Sequence, residues 1–161
     1  MTPDFRLLEI LKRFEIPYVI VGGLAVNAHG YICGTEGTDL LWLRSEIVEV
    51  KLLAALEEIK AEYIGNEIDP NTGIERTYPV TASFVQSKSL MMLCTQFGFL
   101  DLFDYVPGFP QTNVEEVIES AIELNGLRFV SLSWLRRMKK KPHRGQGTFS
   151  ILKTYLRFKR R

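Results

Sequence analysis

The chain has 161 residues, 46% of them hydrophobic, enough for one domain with a real core. It contains no apolar run of 18 residues, and its first ten residues (MTPDFRLLEI) lack a basic region followed by a long apolar one, so neither a transmembrane helix nor a secretory signal is expected. The net charge of +1 conceals a division: residues 1–123 hold all 19 acids and eight basic residues, a balance of −11, while residues 124–161 hold twelve basic residues and no acid, a balance of +12. So one-sided a block is either a solvated helical face or a surface for an anion.

Taken in order, Thr2-Pro3 can cap and open a first helix over residues 3–15, with Phe5, Leu8, Leu11 and Phe14 at helical spacing and Pro17 as its stop. Tyr18 to Val21 read as a short buried strand, broken by Gly22-Gly23. Residues 24–29 make one or two helical turns, residues 30–37 a glycine-rich loop, and residues 38–43 a second strand. Ser45 caps a long helix whose expected apolar side is Ile47, Val50, Leu53, Ala54, Leu56 and Ile59. Residues 66–73 form a polar link, and residues 75–86 alternate irregularly like a strand. Residues 89–95 and 99–106 are apolar runs joined around Gln96-Phe97-Gly98 as a hairpin. Residues 107–110 form a loop, and Thr112 with Glu115 matches a capping box opening a helix to Leu124. Asn125-Gly126 turns the chain into a strand over residues 127–130; Ser133 then caps a helix to Lys141, Pro142 interrupts, and a last helix covers residues 147–159. The order is that of a mixed α/β domain: one unit over 1–161, with an α/β core to about residue 130 and a basic helical tail over 131–161.

A few residues bear on chemistry. Gly22-Gly23, between a strand and a helix start, let backbone approach a ligand and suit an anion, or simply make a tight turn. Asp39 enters a strand whose next four residues are all apolar, and a carboxylate there is costly unless it is paired or binds a cation. In FLDLFDYV, alternation sets Asp101 with Phe99, Phe103 and Tyr105, whereas Asp104 near the strand end can face solvent. His29 is either a ligand or base, or a helix-end histidine bonded to backbone. Cys33 and Cys94 have no metal-ligand spacing and read as thiols of a reducing, cytoplasmic compartment. The tract Arg136, Arg137, Lys139, Lys140, Lys141, His143, Arg144 either tracks phosphates or keeps the surface soluble.

The succession VGGLAV…HGY…GTEGTDLLWL and the later LDLF strand, together with LSWLRRMKKKPHR, resemble the nucleotidyltransferase superfamily with the DNA polymerase β-like fold, in particular small bacterial members related to abortive-infection toxins. The similarity runs from about Phe5 to Leu156. It implies a nucleotidyltransferase-like mixed β-sheet flanked by helices, and transfer of a nucleoside monophosphate from a nucleoside triphosphate to an RNA, protein or small-molecule acceptor. It also implies Mg²⁺ or Mn²⁺, since two cations about 3.5–4 Å apart clamp the attacking and leaving oxygens. By position, Gly22, Gly23, Lys139 and Arg144 would meet the triphosphate. Asp39 would be the second acid of a pair and Asp101 the third acid. Gly37 stands where the first acid belongs, and Glu36, adjacent, is a further candidate ligand that an extended strand turns the other way unless the loop bulges. Cys33 stands where the family often has a basic residue, and Gly147 and Ser150 where it commonly has aspartates. Two outcomes are thus open: a transferase working with Asp39, Asp101 and Glu36, or a non-catalytic relative that binds nucleotide or protein. Replacing Gly37 with aspartate is expected to restore metal binding.

Overall fold

The structure, a computed structural model, describes residues 4–140. Its elements follow as α1 (Arg6–Arg13), β1 (Tyr18–Val21), α2 (Gly22–Ala28), β2 (Gly37–Trp42), α3 (Glu46–Glu58), β3 (Glu62–Asp69), β4 (Ile74–Pro79), α4 (Ala82–Ser87), β5 (Leu90–Thr95), β6 (Gly98–Phe103), α5 (Val114–Glu119), β7 (Ile122–Leu124), β8 (Leu127–Phe129) and α6 (Leu132–Lys140). The mixed α/β reading therefore holds. The strands form one eight-stranded sheet in the order β4-β3-β5-β6-β2-β1-β8-β7, parallel at β2–β6 and β1–β8 and antiparallel elsewhere. Among the described residues no helix is long and apolar enough to cross a membrane.

Local chemistry accounts for most boundaries. All four residues of β1 are buried, as its uninterrupted apolar run requires. The Ser45 hydroxyl accepts from Val48 N at 3.2 Å, and Glu46 and Glu49 complement the amide end of α3. Asn125 (φ 52) and Gly126 (φ 77) both take left-handed conformations, giving the tight turn between β7 and β8. Tyr18 is buried against α1, its hydroxyl donating to the Leu8 carbonyl at 3.2 Å, and burial pushes the phenol up to about 12 from 10.0. The folded state thus keeps a proton the unfolded chain has lost. This contribution to stability is complete below pH 10.0 and disappears as pH rises through about 12. Tyr18→Phe should flatten that alkaline loss, measured as denaturation midpoints across the interval.

Several boundaries move. The first helix begins at Arg6 and ends at Arg13, shorter at both ends than expected. Residues 66–69 continue β3 rather than linking, because the outer hairpin exposes polar side chains along the strand and hides its alternation. The stretch read as β-like over 75–86 is β4 followed by α4, whose cap is Thr81, accepting from Phe84 N at 3.2 Å. Asn113, not Thr112, caps α5, accepting from Glu115 N at 3.0 Å, and the helix stops at Glu119 so that Ile122–Leu124 can form β7. Ser131, not Ser133, caps α6, its hydroxyl accepting from Trp134 N at 3.3 Å. On α3 the core side is Leu52, Ala55, Leu56 and Ile59; Ile47 and Val50 lie opposite it, 70% and 71% exposed. The expected helix over 147–159 lies outside the described residues.

Candidate functional site

The parallel pairing of β2 with β6 positions the acids. In register, Gly37 stands beside Phe99, Asp39 beside Asp101 and Leu41 beside Phe103; Asp39 is also opposite Val21 of β1, and Asp101 opposite Met92 of β5. Residues at one register position project from the same face of a sheet, and neighbouring strands lie about 4.7–4.9 Å apart. The two carboxylates therefore stand next to each other on the two central strands. Leu40, Leu100 and Leu102, on the opposite face, are wholly buried, which locks the register, since a slip of one residue in either strand would turn its acid to that buried face. Asp101 is buried and Asp39 half-buried, so the pair opens on the Asp39 side.

The glycine pair completes this corner. Gly22 has φ +68, and a Cβ there would lie 2.3 Å from Asp39 Oδ2, so the missing side chain makes the space the carboxylate uses. A Cβ on Gly23 would lie 2.9 Å from Thr35 Cβ and 3.6 Å from Cys33 Sγ; the loop over residues 30–36 thus folds back on the start of α2. Two residues the sequence reading did not single out hold that loop. Asn27 Oδ1 accepts from Cys33 N at 2.8 Å, and the Thr35 hydroxyl donates to the Gly37 carbonyl at 2.7 Å. Thr35 follows Gly34 in the sequence, whereas Asn27 lies between Val26 and Ala28 and carries no such signal.

Gly37 is fixed by packing. A Cβ there would come 2.8 Å from the Phe99 carbonyl oxygen and 2.9 Å from Phe99 Cβ, so no side chain fits without moving β2 away from β6. An aspartate at 37, expected to restore metal binding, would therefore need β2 and β6 to shift before it could sit where the first acid belongs. Glu36 is exposed just ahead of β2. Among the described residues no three of His, Cys, Asp and Glu are grouped so as to hold a metal ion.

The remaining candidates separate. His29 caps the end of α2, and its Nε2 lies 2.8 Å from the Val130 carbonyl, so that nitrogen donates; of its two readings the backbone-bonded one is found. Asp104 does not face solvent: its carboxylate pairs with Arg44 at 2.8 Å. No disulfide joins Cys33 and Cys94. Lys139 is exposed on α6, a helix packed against α2, while Arg144 lies outside the described residues.

Fold and site together define an α/β protein with a carboxylate pair at mid-sheet beside a glycine-opened corner. No protein-family model matches the chain, and no curated protein matches it. Among solved structures it is similar to the crystal structure of JHP933 from Helicobacter pylori, with 12% identity and a TM-score of 0.36, over 86% of this chain and 57% of that one. This chain thus spans less than two thirds of that protein's length.

Proposed function

We propose that the protein is nucleotidyltransferase-like and binds a nucleoside triphosphate through one divalent cation at Asp39 and Asp101. The observation that carries this reading is the in-register placement of the two acids on neighbouring central strands. The donor set suits a single Mg²⁺, which is commonly held by one or two carboxylates together with substrate phosphates and water. It does not suit a cation pair, which calls for further acidic ligands. Asp39 and Asp101 would hold the ion, and the missing side chain of Gly22 leaves the space that the Asp39 carboxylate occupies. When bound, the cation offsets phosphate charge and polarises the phosphoryl group. Lys139 and Arg144 are the proposed cationic contacts to the triphosphate, and a nucleoside monophosphate would pass to an acceptor. A cytoplasmic setting, with Mg²⁺ and nucleotide abundant and thiols reduced, suits this chemistry.

Packing of Gly37 against Phe99 favours a second reading, in which the site binds nucleotide, or a protein partner, without transferring anything. Calorimetry of ATP binding, with and without Mg²⁺, tests the first reading. With Mg²⁺, Asp39→Ala and Asp101→Ala should each weaken binding by about tenfold or more, roughly 1.4 kcal/mol. Without it, the same substitutions should strengthen binding, because two carboxylates repel a triphosphate. Binding indifferent to both Mg²⁺ and the substitutions would discard the site. Labelled nucleotide then separates the readings: Mg²⁺-dependent binding with no transfer leaves the second.

A further inference from the structure

We propose that the outer face of α6 is a docking surface for the phosphate backbone of a nucleic acid. It rests on Arg136 and Arg137, and so stands independently of the nucleotidyltransferase reading, which assigns Lys139 to the triphosphate. Trp134, Leu135 and Met138 are buried, which turns the rest of the helix outward, and Arg136, Arg137 and Lys139 are all exposed. In the sequence Lys140 and Lys141 come next, and after Glu123 the chain has no acid. Arg136, Arg137 and Lys139 take no part in the ion pairs that tie Arg6, Arg13, Arg44, Lys51 and Arg76 to acids. Attraction to the carbonyl end of a helix accounts for a cation or two in its last turn. It gives no reason for five basic residues within residues 136–141.

Arg137 gives the surface a fixed point. Its guanidinium lies 3.9 Å from the centroid of the Trp134 ring and 4.9 Å from that of Phe109, and those two rings meet edge to face at 5.8 Å. A stacked guanidinium keeps its N–H edge available and has less freedom to lose when it grips a phosphate. A membrane surface is a poorer match, because a helix lying on lipid turns its apolar face outward, whereas the apolar residues of α6 are buried in the protein.

The test uses the full chain and measures anisotropy of labelled single-stranded RNA and duplex DNA as salt is raised. The logarithm of affinity should fall linearly with the logarithm of salt concentration. Arg136→Gln should weaken binding and reduce the slope by about 0.7 on the single strand and about 0.9 on the duplex, the share of one phosphate contact. Arg136→Gln with Arg137→Gln should roughly double the change. Because loss of the Arg137 stack can loosen α6, Arg136→Gln alone, with an unchanged melting temperature, decides the matter. Salt-independent binding overturns the proposal. So does a slope unaltered in Arg136→Gln, or binding to anionic phospholipid vesicles with none to either nucleic acid.

Discussion

Arg44→Ala is expected to lower the unfolding free energy by about 2–4 kcal/mol, a large loss for a single side chain. Arg44 follows β2, and its guanidinium gathers four elements. It donates to Asp104 Oδ2 at 2.8 Å, Glu49 Oε1 at 2.8 Å, the Val85 carbonyl at 2.7 Å and the Lys88 carbonyl at 2.7 Å. It also lies 4.5 Å from the centroid of the buried Trp42 ring. The side chains of Arg44, Asp104 and Glu49 are 23%, 16% and 17% exposed, so removing the cation strands two carboxylates and the Val85 carbonyl where water reaches them poorly, and takes a partner from the exposed Lys88 carbonyl. Arg44→Lys should recover only part of the loss, because an ammonium keeps the charge but not the planar fork.

The measurement is a urea titration in which the midpoint falls while the slope is unchanged. Lys51→Ala supplies the comparison: its partner Glu15 is 79% exposed, and the change should stay within about 0.5 kcal/mol. If the two variants lose equal stability, Arg44 is an ordinary surface cation. Because Arg44 and Asp104 follow the two strands that carry Asp39 and Asp101, Arg44→Ala should also weaken Mg²⁺-dependent nucleotide binding.

What the sequence discloses here is mainly what short-range chemistry decides. The apolar run of β1, the serine cap of α3, the β5–β6 hairpin and the Asn125-Gly126 turn depend on residues within a few positions of one another. The core side of α3 does not. Ile47, Val50 and Ala54 make one stripe and Leu52, Ala55, Leu56 and Ile59 another on the opposite side; helical periodicity alone cannot say which meets the sheet. Asp39 and Asp101 are each noticeable as acids inside apolar strands. Their adjacency depends on a parallel pairing between strands far apart in the chain, which no local pattern encodes. Arg44 was missed for the same reason, since all but one of its hydrogen-bond partners are more than 40 residues away in sequence.

Gly37→Asp, which on sequence grounds would rebuild a pair of acids two residues apart, should instead destabilise the protein by about 1–3 kcal/mol. The new Cβ would meet the carbonyl oxygen and Cβ of Phe99 at 2.8 and 2.9 Å, contacts that only a shift of the β2–β6 ladder can relieve. That ladder also sets the spacing between Asp39 and Asp101, so the strain is delivered to the site itself. A third carboxylate on the same side adds like-charge repulsion to the steric cost. Gly37→Ala isolates the steric share, and thermal unfolding of both variants should place Gly37→Ala below the parent and Gly37→Asp lower still. Mg²⁺ titrations should find neither variant binding more tightly than the parent. A Gly37→Asp chain that melts with the parent and binds Mg²⁺ more tightly would show that the strands yield easily and that two cations can be accommodated. The opposite result makes Gly37 a packing residue of the central ladder, and any third carboxylate must then come from outside β2.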